Sequence, residues 1–298
     1  MLRSAGFAEI AIVALCAVPI WSCAPALAAD EPAEAEAEEG SGFDVTVETT
    51  FYSDYMDSGL TESDHHPSLE TRITASYDLF YASVEGYTLD YGTDDPWASV
   101  TYTLGATPSF GDLSLDVSLA RRIKYDDPSS DRWLPYVTGT YTFDERFQAS
   151  LGAGYYAHDD VDSADFAEIY AAATYTHESG AFVTGEVYWE PRTNDDGDDY
   201  YGFYGTVGVP VPRVEALTAN AELGYEWYQN DPSIASYIWW DVNLAYAFND
   251  NVSVVVGYQD NDLSAAGCSS QAYTDCDGAV YAKLMLSTKL SDWTAPKR

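Results

Sequence analysis

Asp112–Tyr125 reads DLSLDVSLARRIKY. Leu113, Leu115, Val117, Leu119 and Ile123 are apolar, while Ser114, Asp116, Ser118, Arg122 and Lys124 are polar. A period of two over this length describes a β-strand with one face in an apolar medium and the other in a polar one. The pattern recurs along the chain. Leu69, Ile73, Ala75 and Tyr77 alternate with Glu70, Arg72, Thr74 and Ser76, and Leu217–Trp227 and Trp240–Phe248 follow the same rule. Ala282, Leu284, Leu286 and Leu290 alternate with Lys283, Ser287 and Lys289.

About fourteen such segments can be marked, starting near Asp44, Ser68, Phe80, Pro96, Asp112, Leu134, Arg146, Phe166, Ala181, Asp199, Glu215, Ser236, Asn251 and Gly278. Connections after even segments are short, such as Asp78-Leu79, Asp144-Glu145 and Asn249-Asp250. Those after odd segments are longer and rich in Asp, from Met56–Pro67 to Asn261–Asp277. Short turns at one end and long loops at the other are the rhythm of transmembrane barrels. The fold expected is therefore all-β, an antiparallel transmembrane β-barrel of about 12–16 strands, fourteen being the best number. Aromatics are 15% of the chain. Tyr52, Tyr55, Tyr77, Tyr81, Tyr91, Trp97, Tyr125, Trp133, Tyr155, Tyr188, Trp189 and Tyr225 lie near segment ends, where interfacial girdles would use them. A soluble β-sandwich that binds ligands in the periplasm is the alternative fold; it does not require the loop rhythm.

The ends of the sequence carry a different grammar. Residues 1–29 read as a signal peptide: Arg3 is its positive start, Ile10–Ile20 its apolar stretch, and Ala26-Leu27-Ala28 its cleavage pattern. Cys23 gives a weaker lipoprotein-like alternative. Residues 30–42 (DEPAEAEAEEGSG) form an acidic tether without large apolar side chains. Residues 43–298 make up the barrel domain. The chain is thus expected in the outer membrane of a Gram-negative bacterium, in contact with its lipids and lipopolysaccharide.

A net charge of −36 excludes electrostatic binding of nucleic acid. The polar face of the strands presents Glu48, Glu70, Asp116, Glu186, Glu222, Glu226 and Asp241 against Arg72, Arg122, Lys124 and Lys283. In a barrel that face lines the lumen, and an acidic excess there favours cations. Arg122 and Lys124 could pair with Asp116 and partly fill the bore. Cys268 and Cys276 form an even pair in an exported chain and read as a disulfide closing a small loop.

No nucleophile, base and orienting group converge in the sequence, so the chain reads as a non-enzyme without a cofactor. His65-His66 beside Glu62 and Asp64 is a weak metal candidate; a solvated loop pair is the plainer reading. Asp195, Asp196 and Asp198 resemble part of a calcium loop that lacks its closing Glu. With Asp94-Asp95, Asp126-Asp127 and Asp159-Asp160 they suggest, at most, divalent cations bound weakly at the loops.

Val45–Tyr55 (VTVETTFYSDY) runs into Met56–Glu62 (MDSGLTE). A strand ending Ser53-Asp54-Tyr55, then Gly59-Leu60-Thr61, then a second strand from Pro67-Ser68-Leu69-Glu70, resembles the N-terminal signature of the TorF-like porins, a bacterial family long without an assigned function. His177–Gly180 (HESG) is in keeping with it. The likeness covers about the first fifth of the mature chain. It implies an outer-membrane barrel with a transport role and no catalytic residues. The tail after Leu290 and the paired cysteines depart from the pattern. Three functions follow: a porin-like channel for small hydrophilic solutes, a non-conducting barrel for surface binding or envelope structure, and the soluble binding protein.

Overall fold

The computed structural model describes residues 42–89, 98–125, 131–159, 165–191, 199–214, 216–229, 234–271, 273 and 275–291. The signal segment, residues 30–41 of the tether, Tyr91, Trp97 and the aspartates 94, 95, 126, 127, 160, 195, 196 and 198 lie outside them. The elements are β1 (Phe43–Tyr52), β2 (Met56–Asp57), β3 (Leu60–Thr61), β4 (Ser68–Tyr77), β5 (Phe80–Thr88), β6 (Ala98–Ala106), β7 (Ser109–Phe110), β8 (Leu113–Tyr125) and β9 (Arg132–Thr142). They continue with β10 (Phe147–His158), β11 (Phe166–Thr176), β12 (Phe182–Glu190), β13 (Tyr200–Pro210), β14 (Leu217–Tyr228), β15 (Tyr237–Asn249), β16 (Val252–Asn261), α1 (Ala265–Ser270) and β17 (Ala279–Lys289).

Each long strand pairs antiparallel with its neighbours in sequence, β6 joins β8 past the short β7, and β17 returns to β1. The result is one closed sheet of fourteen strands rather than two stacked sheets. Closure leaves no unpaired edge, the condition for crossing a bilayer with strands. The barrel strands run from 9 to 13 residues, against the ~9–11 that a tilted membrane strand requires. At the short-turn end Tyr77 pairs with Phe80 across two residues. Asp78 takes φ 53° there, a left-handed conformation that Asp tolerates.

The outward face is apolar and open. Leu104, Leu151 and Val280 are 66%, 63% and 73% exposed, in a belt with Val117, Val137, Val207, Leu223, Val242 and Leu244. Aromatic rings edge the belt on both sides. Tyr141, Phe143 and Phe147 cluster at the short-turn end, with ring centroids 4.8 and 5.0 Å apart. Trp189, Tyr201 and Trp227 stack at the loop end, at 6.4 and 5.1 Å. Trp133 and Tyr141 lie eight residues apart on β9, as do Phe147 and Tyr155 on β10. Eight residues at ~3.4 Å, tilted ~40°, span ~21 Å, close to the ~25 Å apolar band of outer-membrane barrels. Exposed apolar surface of this extent is unfavourable in water. No helix among the described residues is long and apolar enough to cross a membrane.

Not every aromatic residue near a strand end belongs to the outer girdle. Tyr77, Tyr125, Trp133, Tyr155, Trp189 and Tyr225 do face outward, whereas Tyr52, Tyr55, Tyr81 and Tyr188 turn into the barrel. Parity decides. Tyr52 shares its face with Glu48, and Tyr81 shares its face with Ser83 and Glu85.

Candidate functional site

Inside the barrel, large rings lie flat on the wall because glycines on the next strand make room. A Cβ on Gly154 would sit 2.1 Å from the ring of Tyr136, and one on Gly224 would sit 2.2 Å from that of Trp239. The lumen divides into two unlike halves.

The half walled by β14–β17 is filled by the first long connection. Its turn residues Ser58 and Gly59 have φ of 46° and 80°, both positive as a two-residue type I′ turn requires. Asp57 then pairs with Leu60 and Met56 with Thr61. Met56 is buried against Val255 and Tyr281, and Leu60 packs with Tyr237, Trp239, Cys268 and Tyr273. The connection is therefore not the solvated outer loop that its composition suggests.

The residues that carry the TorF-like resemblance build this hairpin. The backbone N–H of Ser53 donates to the carbonyl of Ala282 on β17 at 2.9 Å, and its hydroxyl accepts from the N–H of Ala282 at 2.8 Å. Asp54 accepts from Thr61 at 2.7 Å and from Ser63 at 3.2 Å. Gly59 presses on Trp239 and the backbone of Asp260.

A disulfide between Cys268 and Cys276 ties the last outer loop into a cap over the hairpin. The side-chain amide of Asn261 donates to the carbonyls of both Gly59 (2.6 Å) and Cys276 (3.0 Å). Tyr273 donates to Glu62. His65 places Nδ1 2.7 Å from Asp54 and Nε2 3.5 Å from Asp275. Burial opposes charge on that ring, but the Asp54 hydrogen bond and the charges of Asp54, Asp275 and Asp64 outweigh it and raise the His65 pKa. Burial, with Glu62 and Glu226 nearby, pushes the Asp57 carboxyl up to about 8. No set of three or more His, Cys, Asp or Glu side chains suited to a metal occurs among the described residues.

The half walled by β4–β11 holds a cavity of about 530 Å³. Its wall is a series of carboxylates held by tyrosine hydroxyls. Tyr52 donates to Glu70 at 2.5 Å, Tyr81 to Asp116 at 3.0 Å, and Tyr136 and Tyr156 to Glu168 at 2.8 and 3.2 Å. Arg72 bridges to Glu85 at 2.5 Å. Arg122 donates to Ser99 at 3.1 Å and lies over the Tyr87 ring at 5.3 Å. Asp116 is satisfied by Tyr81 and makes no ion pair with Arg122 or Lys124, contrary to the pairing their parity suggested.

Among the remaining lumen candidates, Glu48 borders a narrow gap with Thr50, Glu70 and Arg72. Lys124 sits opposite Ser99 at the loop end, and Glu186 accepts from Tyr188 at 3.1 Å. Glu222, Glu226, Asp241 and Lys283 belong to the filled half. Glu222 stands directly across from Asp241. Glu226 accepts from Tyr200, Tyr204 and Trp239. Asp241 accepts from Tyr281 at 2.6 Å, whose ring lies 4.9 Å from the Lys283 ammonium.

By structure the chain is similar to OmpF of Salmonella typhi, solved in complex with daunomycin. The identity is 11% over 83% of this chain and 97% of that one, with a TM-score of 0.53. The fold is that of a porin-type barrel. CdiB from Acinetobacter baumannii is similar at 7% identity, over 84% of this chain and 60% of that one, with a TM-score of 0.51. A porin refined at 1.8 Å gives 14% identity over 83% and 99% of the two chains, at a TM-score of 0.46. No family model and no curated protein matches the sequence.

Sequence parity finds most of the polar lumen of this porin-type barrel, but it passed over Glu85, Glu168 and the inward tyrosines. Their signal was available: Glu85 alternates with Val84, and Glu168 alternates with Ala167 and Ile169. Tyr52, Tyr55, Tyr81 and Tyr188 were concealed by their assignment to a girdle.

Proposed function

We propose that the chain is an outer-membrane channel for passive diffusion of small hydrophilic solutes, preferring cations, exported by a cleaved signal peptide. The observation that carries this reading is the conjunction of an apolar belt outside with a carboxylate-lined cavity inside the same closed sheet. The resemblance of Val45–Glu62 to the TorF-like porins supports it, as does the porin-type fold. The short-turn end would face the periplasm and the long loops the exterior, near lipopolysaccharide. Selectivity would rest on Glu70, Glu85, Asp116 and Glu168, because Glu222, Glu226 and Asp241 are engaged beside the hairpin.

A second reading is favoured by the hairpin itself. A lumen filled on one side suits a barrel that stays closed and serves binding or envelope structure. Single-channel recording in planar bilayers under a salt gradient separates the two. Steady conductance with a cation-favouring reversal potential supports the channel; insertion with heat-modifiable mobility and no conductance supports the closed barrel.

A further inference from the structure

We propose that the open half of the lumen is a binding site for organic cations, solutes with an ammonium or guanidinium group on an apolar or aromatic body. The inference deepens the channel reading by naming its solute class. A volume of about 530 Å³ suits a small organic molecule, since ligand sites run ~300–1,000 Å³. The wall carries four carboxylates, from Glu70, Glu85, Asp116 and Glu168, and the largely protonated Asp57, against the guanidinium groups of Arg72 and Arg122. Arg72 is taken by Glu85.

Asp116 and Glu168 form no salt bridge among the described residues. Their hydrogen-bond partners are tyrosine hydroxyls, which fix the carboxylates in place without cancelling the charge of Asp116, while the Arg132 guanidinium on the Tyr156 ring offsets part of the charge of Glu168. An ionised carboxylate has about four lone-pair sites, so each retains capacity for an ammonium donor. The two groups stand on adjacent inner rows, Asp116 opposite Thr138 and Glu168 opposite Gly154, which is itself opposite Tyr136.

The rings on the same wall supply the rest of the recognition. Aromatic faces attract cations, most of all cations that shed water easily. The wall already seats two such groups of its own. Arg122 lies 5.3 Å from the centroid of Tyr87, and Arg132 lies 5.0 Å from that of Tyr156. Small metal ions keep their hydration shells and gain little from a tyrosine face. Anions meet the acidic excess. Neutral polyols could use the hydroxyls but would leave the charge of Asp116 unanswered.

Isothermal titration of the purified, folded protein in detergent tests the site, with benzylammonium as the probe and benzyl alcohol, benzoate and sucrose as comparators. Saturable binding of the cation alone is the expected result. Asp116→Asn and Glu168→Gln should each weaken it about tenfold or more, in variants that keep heat-modifiable mobility. Tyr136→Phe, which keeps the ring, should weaken it less than Tyr136→Leu. Equal binding of benzyl alcohol or sucrose overturns the proposal, as does parental affinity in both charge variants. Bilayer recording separates this from the channel reading. Binding without conductance leaves the site standing and removes the channel, whereas conductance without binding does the reverse.

Discussion

Gly59→Ala should expel the hairpin from the lumen. The new methyl group would lie 2.6 Å from Trp239 Cβ, 3.0 Å from the Asp260 carbonyl oxygen and 3.1 Å from Asn261 Cβ. None of the three can retreat easily. Trp239 lies flat against Gly224, and Asp260 and Asn261 belong to β16, in register with Trp240 and Trp239. Overpacking of this kind costs ~1–3 kcal/mol. Holding an alanine at the left-handed φ of 80° adds ~1–2 kcal/mol. A combined ~3 kcal/mol changes the docked-to-free ratio by roughly a hundredfold. Hydrogen exchange of the amides of residues 55–62 measures that ratio directly, and single-channel recording reads its consequence. Exchange should quicken by about two orders of magnitude while the barrel strands keep their protection. If the channel reading holds, conductance should rise. Parental exchange and conductance in a correctly folded Gly59→Ala protein would refute the argument that this contact seats the hairpin.

Asn261→Ala removes the donor shared by Gly59 and Cys276 and should loosen the hairpin by ~1 kcal/mol, the worth of the one hydrogen bond that reaches Gly59; unchanged exchange in residues 55–62 would count against it. Cys268→Ser opens a short loop and should cost ~2–3 kcal/mol of local stability, seen as faster proteolysis of residues 262–278 with unaltered heat-modifiable mobility, and the idea fails if the barrel itself melts instead. Both titrating groups of the plug act in one direction with pH. A His65 whose docked pKa is raised above its ordinary 6.5 holds the latch fully below that value and releases it as pH rises through the raised one, while Asp57, raised from 3.8 to about 8, disfavours docking increasingly up to about pH 8. Hairpin protection, measured against the intrinsic exchange rate at each pH, should therefore fall as pH rises from about 4 to about 8, with His65 adding to the fall above 6.5, and unchanged or rising protection over that range would overturn the assignment. Leu151→Arg, in the middle of the outward belt, should destabilise the inserted barrel by ~2–4 kcal/mol in vesicle unfolding experiments; no loss would mean this surface does not face lipid.

The hairpin shows how far a linear reading reaches. Asp112–Tyr125 and its fellow segments determined the barrel, because a period of two assigns each side chain to a face whatever the strand's partners. The rhythm of connections determined which end carries the turns, and the spacing of Cys268 and Cys276 determined the disulfide. Parity also named most of the polar lumen, including Glu70, Asp116, Glu226 and Asp241. Only the tertiary structure decided which half of that lumen is open. Residues 53–67 carry no period, and their place depends on Asn261, Tyr273 and Asp275, some two hundred residues away. The pairing of tyrosine hydroxyls with carboxylates was hidden for a related reason. Tyr136 meets Glu168, and Tyr81 meets Asp116, across strands whose separation is set by barrel closure. Periodicity in the chain fixes the direction of a side chain. Its neighbours are fixed by register and closure, which no single strand encodes.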